Sequence, residues 1–304
     1  MKIEADFYQD LIHWCSKQLA AAGYRCKVDP ESPDLPVLQY FNVQGNVLPA
    51  QPRRVKRASS LRCPVIHRTG LARLLRKARR GDLLLPHASR SIMNADFGDS
   101  MLNDWGIHHF HLGTALCQDG FVGRTSALLF AFVSDDAFHC IDVLDHKDAC
   151  GLSNFAEQQL LEVVHAHWPG LLADAIPPGA QGEPFEKETL AALRQGGFAT
   201  LTVMADGTTY ATPGGGFVSS KHSMRARHRA DRLLDVVHAA ENELRAKIGD
   251  LAATADLVGK PLPPEPTFEL MFRDGWVCAV ERTAMLCVEL IPLTKSAAES
   301  APRA

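Results

Sequence analysis

No two of the eight cysteines (Cys15, Cys26, Cys63, Cys117, Cys140, Cys150, Cys278 and Cys287) form a C-x-x-C pair. That scatter excludes a zinc ribbon or a disulfide frame and reads as small hydrophobes of a reducing compartment. Aromatic residues make up only 7% of the chain, with no RNP-like aromatic platform, so base stacking on a sheet is not expected. No apolar run approaches the ~20 residues of a membrane helix. The opening MKIEADFYQD carries acids where a signal peptide needs a basic flank and an apolar stretch. A cytoplasmic chain without membrane contact is expected. P-loop and Rossmann spacings, an H-E-x-x-H pair and a serine nucleophile elbow are also missing.

Acids are missing in one place of consequence. Between Gln51 and Gly81 there is no aspartate or glutamate, whereas Arg53, Arg54, Lys56, Arg57, Arg62, Arg68, Arg73, Arg76, Lys77, Arg79 and Arg80 all fall there. The whole chain has a formal net charge of −3, so this segment is a local positive field in an otherwise acidic protein. Such a field attracts polyanions by counterion release, although a solvated face or an anchor for acidic neighbours has the same composition. The segment ends in a helix with a Leu71, Leu74, Leu75, Ala78 stripe and Gly81 as C-cap.

A length of 304 residues with 46% hydrophobic content predicts two domains, or three small ones. Phe7, Leu11, Trp14, Cys15 and Leu19 recur at helical spacing up to Gly23. Val37 to Val43 reads as extended, before a Gly45–Asn46 turn. Strand-like runs follow at 105–112, 127–133 and 138–144, the last two joined by a turn at Ser134–Asp136. A helix with Leu160, Leu161, Val164 and Trp168 comes next, capped at Asn154 with Glu157 three residues on. The Pro/Gly-rich stretch 169–184 reads as a domain boundary. Beyond it lie a helix near 186–195, a hairpin on Asp206-Gly207, a long helix with Leu233, Leu234, Val237, Leu244 and Ile248 as its core face, and a hairpin on Asp274-Gly275. The expected fold is α+β: a helix plus antiparallel-sheet unit, followed by a second, smaller α+β unit. Its expected parts are 1–65 (N-terminal helix and basic arm), 66–170 (sheet core), 185–294 (C-terminal domain) and a disordered tail at 295–304.

The densest chemical cluster is Ile107-His-His-Phe-His111. Alternation along a strand puts His109 and His111 on one face, about 7 Å apart, and His108 on the other. Arg124, His139, Asp142, Asp145, His146 and Lys147 are expected nearby in the sheet. Histidines that titrate near neutrality, with an arginine to hold a phosphate, suit general acid–base attack on a phosphodiester. His109, His111 and Asp142 could instead hold a divalent metal, and single histidines of this kind also serve as buried hydrogen-bonding groups. Pro213-Gly-Gly-Gly216 has the form of an anion cradle and equally that of a plain glycine turn. Lys221, His222, Arg225, Arg227, His228, Arg229 and Arg232 crowd the start of the following helix and oppose its dipole. A phosphate backbone, an acidic partner or plain solvation would account for them.

The pieces Asp104-Trp-Gly-Ile-His-His-Phe-His-Leu112, Gly123-Arg-Thr-Ser-Ala-Leu-Leu-Phe-Ala-Phe-Val133 and Phe138-His-Cys-Ile-Asp-Val-Leu-Asp-His-Lys147 resemble, in order and pattern, the RelE/HigB group of toxin-type endoribonucleases. The likeness spans about residues 71–168. It implies a small sheet with an RNA-facing side and metal-free cleavage through the RNA 2′-hydroxyl. By position, His109, His111 and Arg124 would line that side, and His146 and Lys147 would close it. The chain departs from the group in its length and in having Asp148-Ala-Cys150 where a basic-aromatic tail is usual. The expected function is a metal-independent endoribonuclease of toxin or defence type. The catalytic residues would be His109, His111, Arg124 and His146, with no cofactor. The phosphate contacts would be Arg53, Arg54, Lys56, Arg57, Arg73, Arg76, Lys77, Arg80, Arg225 and Arg229. RNA or another nucleic acid is the expected partner, with a protein partner or inhibitor as a second. The alternatives are a non-catalytic nucleic-acid-binding or accessory protein and a metal-dependent hydrolase on the H-x-H pair.

Overall fold

The computed structural model describes residues 1–146 and 157–293. Lys147, Asn154 and the 295–304 tail therefore lie outside the described residues. In chain order the elements begin with β1 (Glu4–Ala5), α1 (Phe7–Ala21), α2 (Leu35–Asn46), β2 (Arg54–Arg57), α3 (Arg68–Arg80), α4 (Ser100–Trp105) and β3 (Ile107–His111). They continue with β4 (Ala127–Val133), β5 (Ala137–Asp145), α5 (Gln159–His167), α6 (Lys187–Gln195), β6 (Leu201–Val203) and β7 (Thr209–Ala211). The last are α7 (Met224–Leu257), β8 (Thr267–Arg273), β9 (Trp276–Glu281) and β10 (Leu286–Pro292). The α+β class is as the sequence predicts. No described helix is long and apolar enough to cross a membrane.

The division into units differs from the expected one. One unit joins Met1–Phe41 to the chain from Ala226 onward, and the other is Asn42–Arg225. The stretch 169–184 is no boundary, because Leu172, Leu190, Met204 and Tyr210 are buried in one core with Leu160 and Phe130. In the first unit α1 and α7 bury Phe7, Leu11, Leu233 and Val237 together with Phe268 and Val277 of a sheet ordered β1-β8-β9-β10. Asp274 and Gly275 take φ of 51° and 81°, the left-handed pair of the expected two-residue hairpin. The segment expected to be extended at Val37–Val43 is helical. Pro36 sits in the first turn of α2, where its missing N–H costs nothing, and Val37, Leu38 and Phe41 are buried at helical spacing. Gly45–Asn46 is the last turn of that helix, not a free turn.

The second unit is a three-layer arrangement about a sheet ordered β2-β5-β4-β3. The expected antiparallel meander is β3-β4-β5, and β2, cut from the basic arm, adds to it in parallel. One face buries Leu71, Leu74, Leu75 and Ala78 of α3 against Phe110, Leu129 and Phe138. Gly81 ends α3 at φ 80°, as its sequence predicts. The other face buries Met101 and Trp105 of α4 and Leu160, Leu161 and Val164 of α5 against Ile107, Leu128 and Phe130.

On that second face Asp104 is fully buried, and its Oδ2 accepts from the Arg194 guanidinium at 2.7 Å. The guanidinium carbon lies 3.7 Å from the Trp105 ring centroid. Burial raises the Asp104 carboxyl and lowers the Arg194 guanidinium, and each partner offsets part of that shift in the other. Removing one partner strands a buried charge. Asp104→Ala is therefore expected to cost about 3–5 kcal/mol in urea unfolding, and Asp104→Ala/Arg194→Met much less.

Candidate active site

Strand alternation places the histidines as the sequence predicts. Ile107, His109 and His111 share the face of Leu128 and Phe130, while His108 stacks on Phe110 on the other, with centroids 6.0 Å apart. β5 ends opposite the start of β4, where Ala127 pairs with Asp145, so the next residue, His146, arrives beside His111. Their ring centroids are 5.6 Å apart. The His146 amide donates to the Ser126 carbonyl at 3.1 Å, and the Thr125 amide reaches His111 Nδ1 at 3.5 Å. Arg124, the residue before Thr125, is exposed.

Two residues that sequence reasoning passed over complete the cluster. Asp99 caps α4 through Oδ1, which accepts from the Leu102 amide at 3.1 Å. Its Oδ2 lies 3.3 Å from His109 Nδ1, with both side chains little exposed, at 14% and 8%. The approach is an ion-pair contact outside hydrogen-bond geometry, and the carboxylate favours the tautomer that carries its proton on Nδ1 and its lone pair on Nε2. Arg90 pairs with Asp119 through Nε at 2.5 Å. Asp99-Ser100 carried only a capping signal in the sequence, and Arg90 carried none.

The electrostatics are those of a cation-rich cluster. Burial, then His146, His109, Arg124 and Arg90, push the His111 imidazole down to about 4. Burial, His109 and Arg124 lower His146, against a weaker pull from Asp145. Both rings are therefore neutral at pH 7 in the free protein. A phosphate would supply the negative charge that this group lacks and raise both pKa values.

No protein-family model, curated protein or solved structure matches this chain.

Of the four expected catalytic residues, His111 and His146 meet at the end of β3, with Arg124 exposed in the adjoining segment, while His109 lies one pleat back at the middle of β3, opposite Phe130. Asp142 is not with them, because its Oδ1 accepts from the amides of Arg62 and Val143, both at 2.8 Å. Among the described residues no three His, Cys, Asp or Glu side chains converge as a metal set. His139 packs instead on Trp168, with centroids 4.8 Å apart.

The expected phosphate contacts divide. Arg53 is 4% exposed and donates to the carbonyls of Ser134, Pro49 and Gln51, so it is a structural pin and not a phosphate ligand. Arg225 Nη2 donates to the Pro213 carbonyl at 3.0 Å. Arg229, in the first unit, lies 4.6 Å over the Phe41 ring. Arg54 pairs with Asp136, while Lys56 and Arg57 are exposed on β2. Along α3, Arg76, Arg79 and Arg80 are exposed and Lys77 half-buried, and none forms an ion pair with a described residue. Arg73, also exposed, donates to the Thr114 carbonyl. With Gly70 packed on the Leu112 carbonyl, this brings α3 alongside the segment that carries His111 and Arg124.

The glycine loop is a turn and not an anion cradle. Its amides are engaged: Gly214 donates to the Asp104 carbonyl, Gly215 to Thr212 and Gly216 to Asn103. Gly214 approaches the Leu102 and Asn103 carbonyls too closely to admit a Cβ.

Proposed function

We propose that the second unit binds RNA along the cationic face of α3 and cleaves it without a metal through the 2′-hydroxyl. The observation that carries this reading is the meeting of His111 and His146 beside the Asp99–His109 pair, next to Arg124. His109, oriented by Asp99, takes the 2′-hydroxyl proton on Nε2 as the 2′-oxygen bonds to phosphorus. His146, near solvent, gives a proton to the departing 5′-oxygen as its bond to phosphorus breaks. Arg124 and His111 hold the phosphate oxygens on which charge develops. The products are a 2′,3′-cyclic phosphate and a 5′-hydroxyl. Asp99 is a positioning residue here, because it acts only through His109.

His109→Ala and His146→Ala are each expected to lower kcat/KM on a labelled RNA by about 10²–10⁴ in the presence of chelator, with RNA affinity nearly unchanged. The pH profile carries a further expectation. His146 must be protonated to act, and its pKa lies below the ordinary 6.5, so kcat/KM is already falling as pH rises toward neutrality. A flat profile from pH 5 to 8, or full activity in either alanine variant, would contradict these roles. One observation favours a second reading, non-catalytic nucleic-acid binding: the exposed cations of α3, which form no ion pair with a described residue, need no histidine to attract phosphate. Tight, salt-steep binding with no cleavage by the wild type would select it.

A further inference from the structure

The turn leading into α3 carries a feature that cation–phosphate contact does not explain. Val65–His67 form a single 3-10 turn after Pro64, whose φ of −53° fixes the approach of the chain. Its side chains divide sharply. His67 is 7% exposed, whereas Val65 and Ile66 are 72% and 79% exposed. Single exposed aliphatics are ordinary on a protein surface; here two adjacent branched ones stand together at a fixed tip among exposed arginines. Around them stand the exposed Arg62 and Arg68, whose side chains bond, among the described residues, to backbone carbonyls of Ser59, Leu61 and Cys63. The tip is therefore apolar and its collar cationic.

The tip is also tied to the histidine cluster. His67 Nε2 lies 3.5 Å from Ser126 Oγ, and the Ser126 carbonyl accepts from the His146 amide at 3.1 Å. Two contacts thus separate an exposed aliphatic pair from the proposed acid.

Resting on the reading above, we infer that Val65 and Ile66 form a base-unstacking wedge. They insert between neighbouring bases of an RNA strand while Arg62, Arg68 and the α3 cations hold its phosphates. The reaction requires such a device. For the 2′-oxygen to displace the 5′-oxygen of its own phosphate, the two must lie on opposite sides of phosphorus, and a stacked A-form strand holds them otherwise. Opening the stack costs free energy, which apolar side chains offset by burying themselves in the gap. That cost is smallest at an unpaired or weakly stacked step. The substrate class is accordingly RNA with a bulge, loop or single-stranded step, and not a uniform duplex.

The test uses the full chain and an RNA hairpin with 2-aminopurine at a bulge, made uncleavable by a 2′-deoxy residue at that step. Binding is read by anisotropy across salt concentrations and unstacking by 2-aminopurine fluorescence. Wild type is expected to bind and to raise the fluorescence. Val65→Ser/Ile66→Ser is expected to bind with the same salt slope but without that rise, and to cleave the all-ribose RNA about tenfold more slowly. Both positions are exposed, and an unchanged thermal transition checks that the variant folds. The wedge is overturned if the variant raises the fluorescence as wild type does, or if wild type binds without any rise. It is equally overturned if the substitutions leave RNA binding, unstacking and cleavage intact and abolish only binding to phosphatidylserine vesicles. Absence of RNA binding by wild type removes the functional reading itself, and the wedge with it.

Discussion

The second unit is expected to lose much of its stability as pH falls from 6.5 to about 4. Burial holds His108 and His111 each down to about 4 from the ordinary 6.5, and His87, His139 and His146 are lowered as well. For a lowered histidine the folded state favours the neutral ring, so the unfolded chain binds more protons between the two pKa values. Its contribution is complete above pH 6.5 and is lost as pH falls toward the folded value. Holding each ring at about 4 and not at 6.5 corresponds to about 3 kcal/mol for each of His108 and His111. Together these approach the 5–15 kcal/mol of a typical domain. Carboxylates titrate mostly below pH 5, so urea unfolding at pH 7.5, 6.5, 5.5 and 5 isolates the histidines. The expected result is a midpoint that falls steadily from pH 6.5 downward. His108→Gln and His111→Gln should each flatten the slope by about one proton. A midpoint constant from pH 7.5 to 5 would contradict the burial assigned to these rings.

Gly70→Ala is expected to destabilise the second unit by at least about 3 kcal/mol, although it replaces a poor helix former with the best one. The reason is contact. Gly70 packs α3 directly on the Leu112 backbone, and a Cβ there would lie inside the Leu112 carbonyl, which is main chain and cannot swing away. Helix propensity favours alanine by only about 1 kcal/mol, so the clash dominates. Gly45 in α2 provides the opposite case, because nothing lies within 4 Å of its Cβ position. Gly45→Ala is expected to stabilise by about 0.5–1 kcal/mol. Chemical denaturation of the two variants side by side measures both. Two small effects of the same sign would mean that α3 does not sit on Leu112 as described. Because Leu112 immediately follows His111, Gly70→Ala should also disturb the histidine cluster before the unit unfolds.

Local patterning made much of the architecture legible. Gly81 after an arginine-rich amphipathic helix, Asp274-Gly275 between apolar runs, and strand alternation at His108–His111 each follow from chemistry within a few residues. Val37–Val43 misled because Val37, Tyr40, Phe41 and Val43 have the composition of a strand. What decides for helix is the burial of Val37, Leu38 and Phe41, a tertiary fact. The domain boundaries misled for a similar reason. Proline and glycine mark turns, and the 169–184 stretch turns within a core that also holds Leu190 and Tyr210. At the site, His109 and His111 were visible from their spacing and His146 from the strand that it follows. Asp99 was hidden, because its contact with His109 depends on how the start of α4 folds over β3. Arg53 shows the limit of reading charge from composition: it lies in the most cationic stretch of the chain, yet its guanidinium holds three carbonyls of its own fold.

The most direct test of the proposed chemistry uses two RNAs of identical sequence, one all-ribose and one with a single 2′-deoxy residue at the cleaved step. Each is incubated with the wild-type protein in excess chelator, and the product ends are identified by mass. The account expects cleavage of the first to a 2′,3′-cyclic phosphate and a 5′-hydroxyl, and no cleavage of the second at that step. Cleavage of both RNAs, cleavage only when a divalent metal is restored, or no cleavage of either would contradict it.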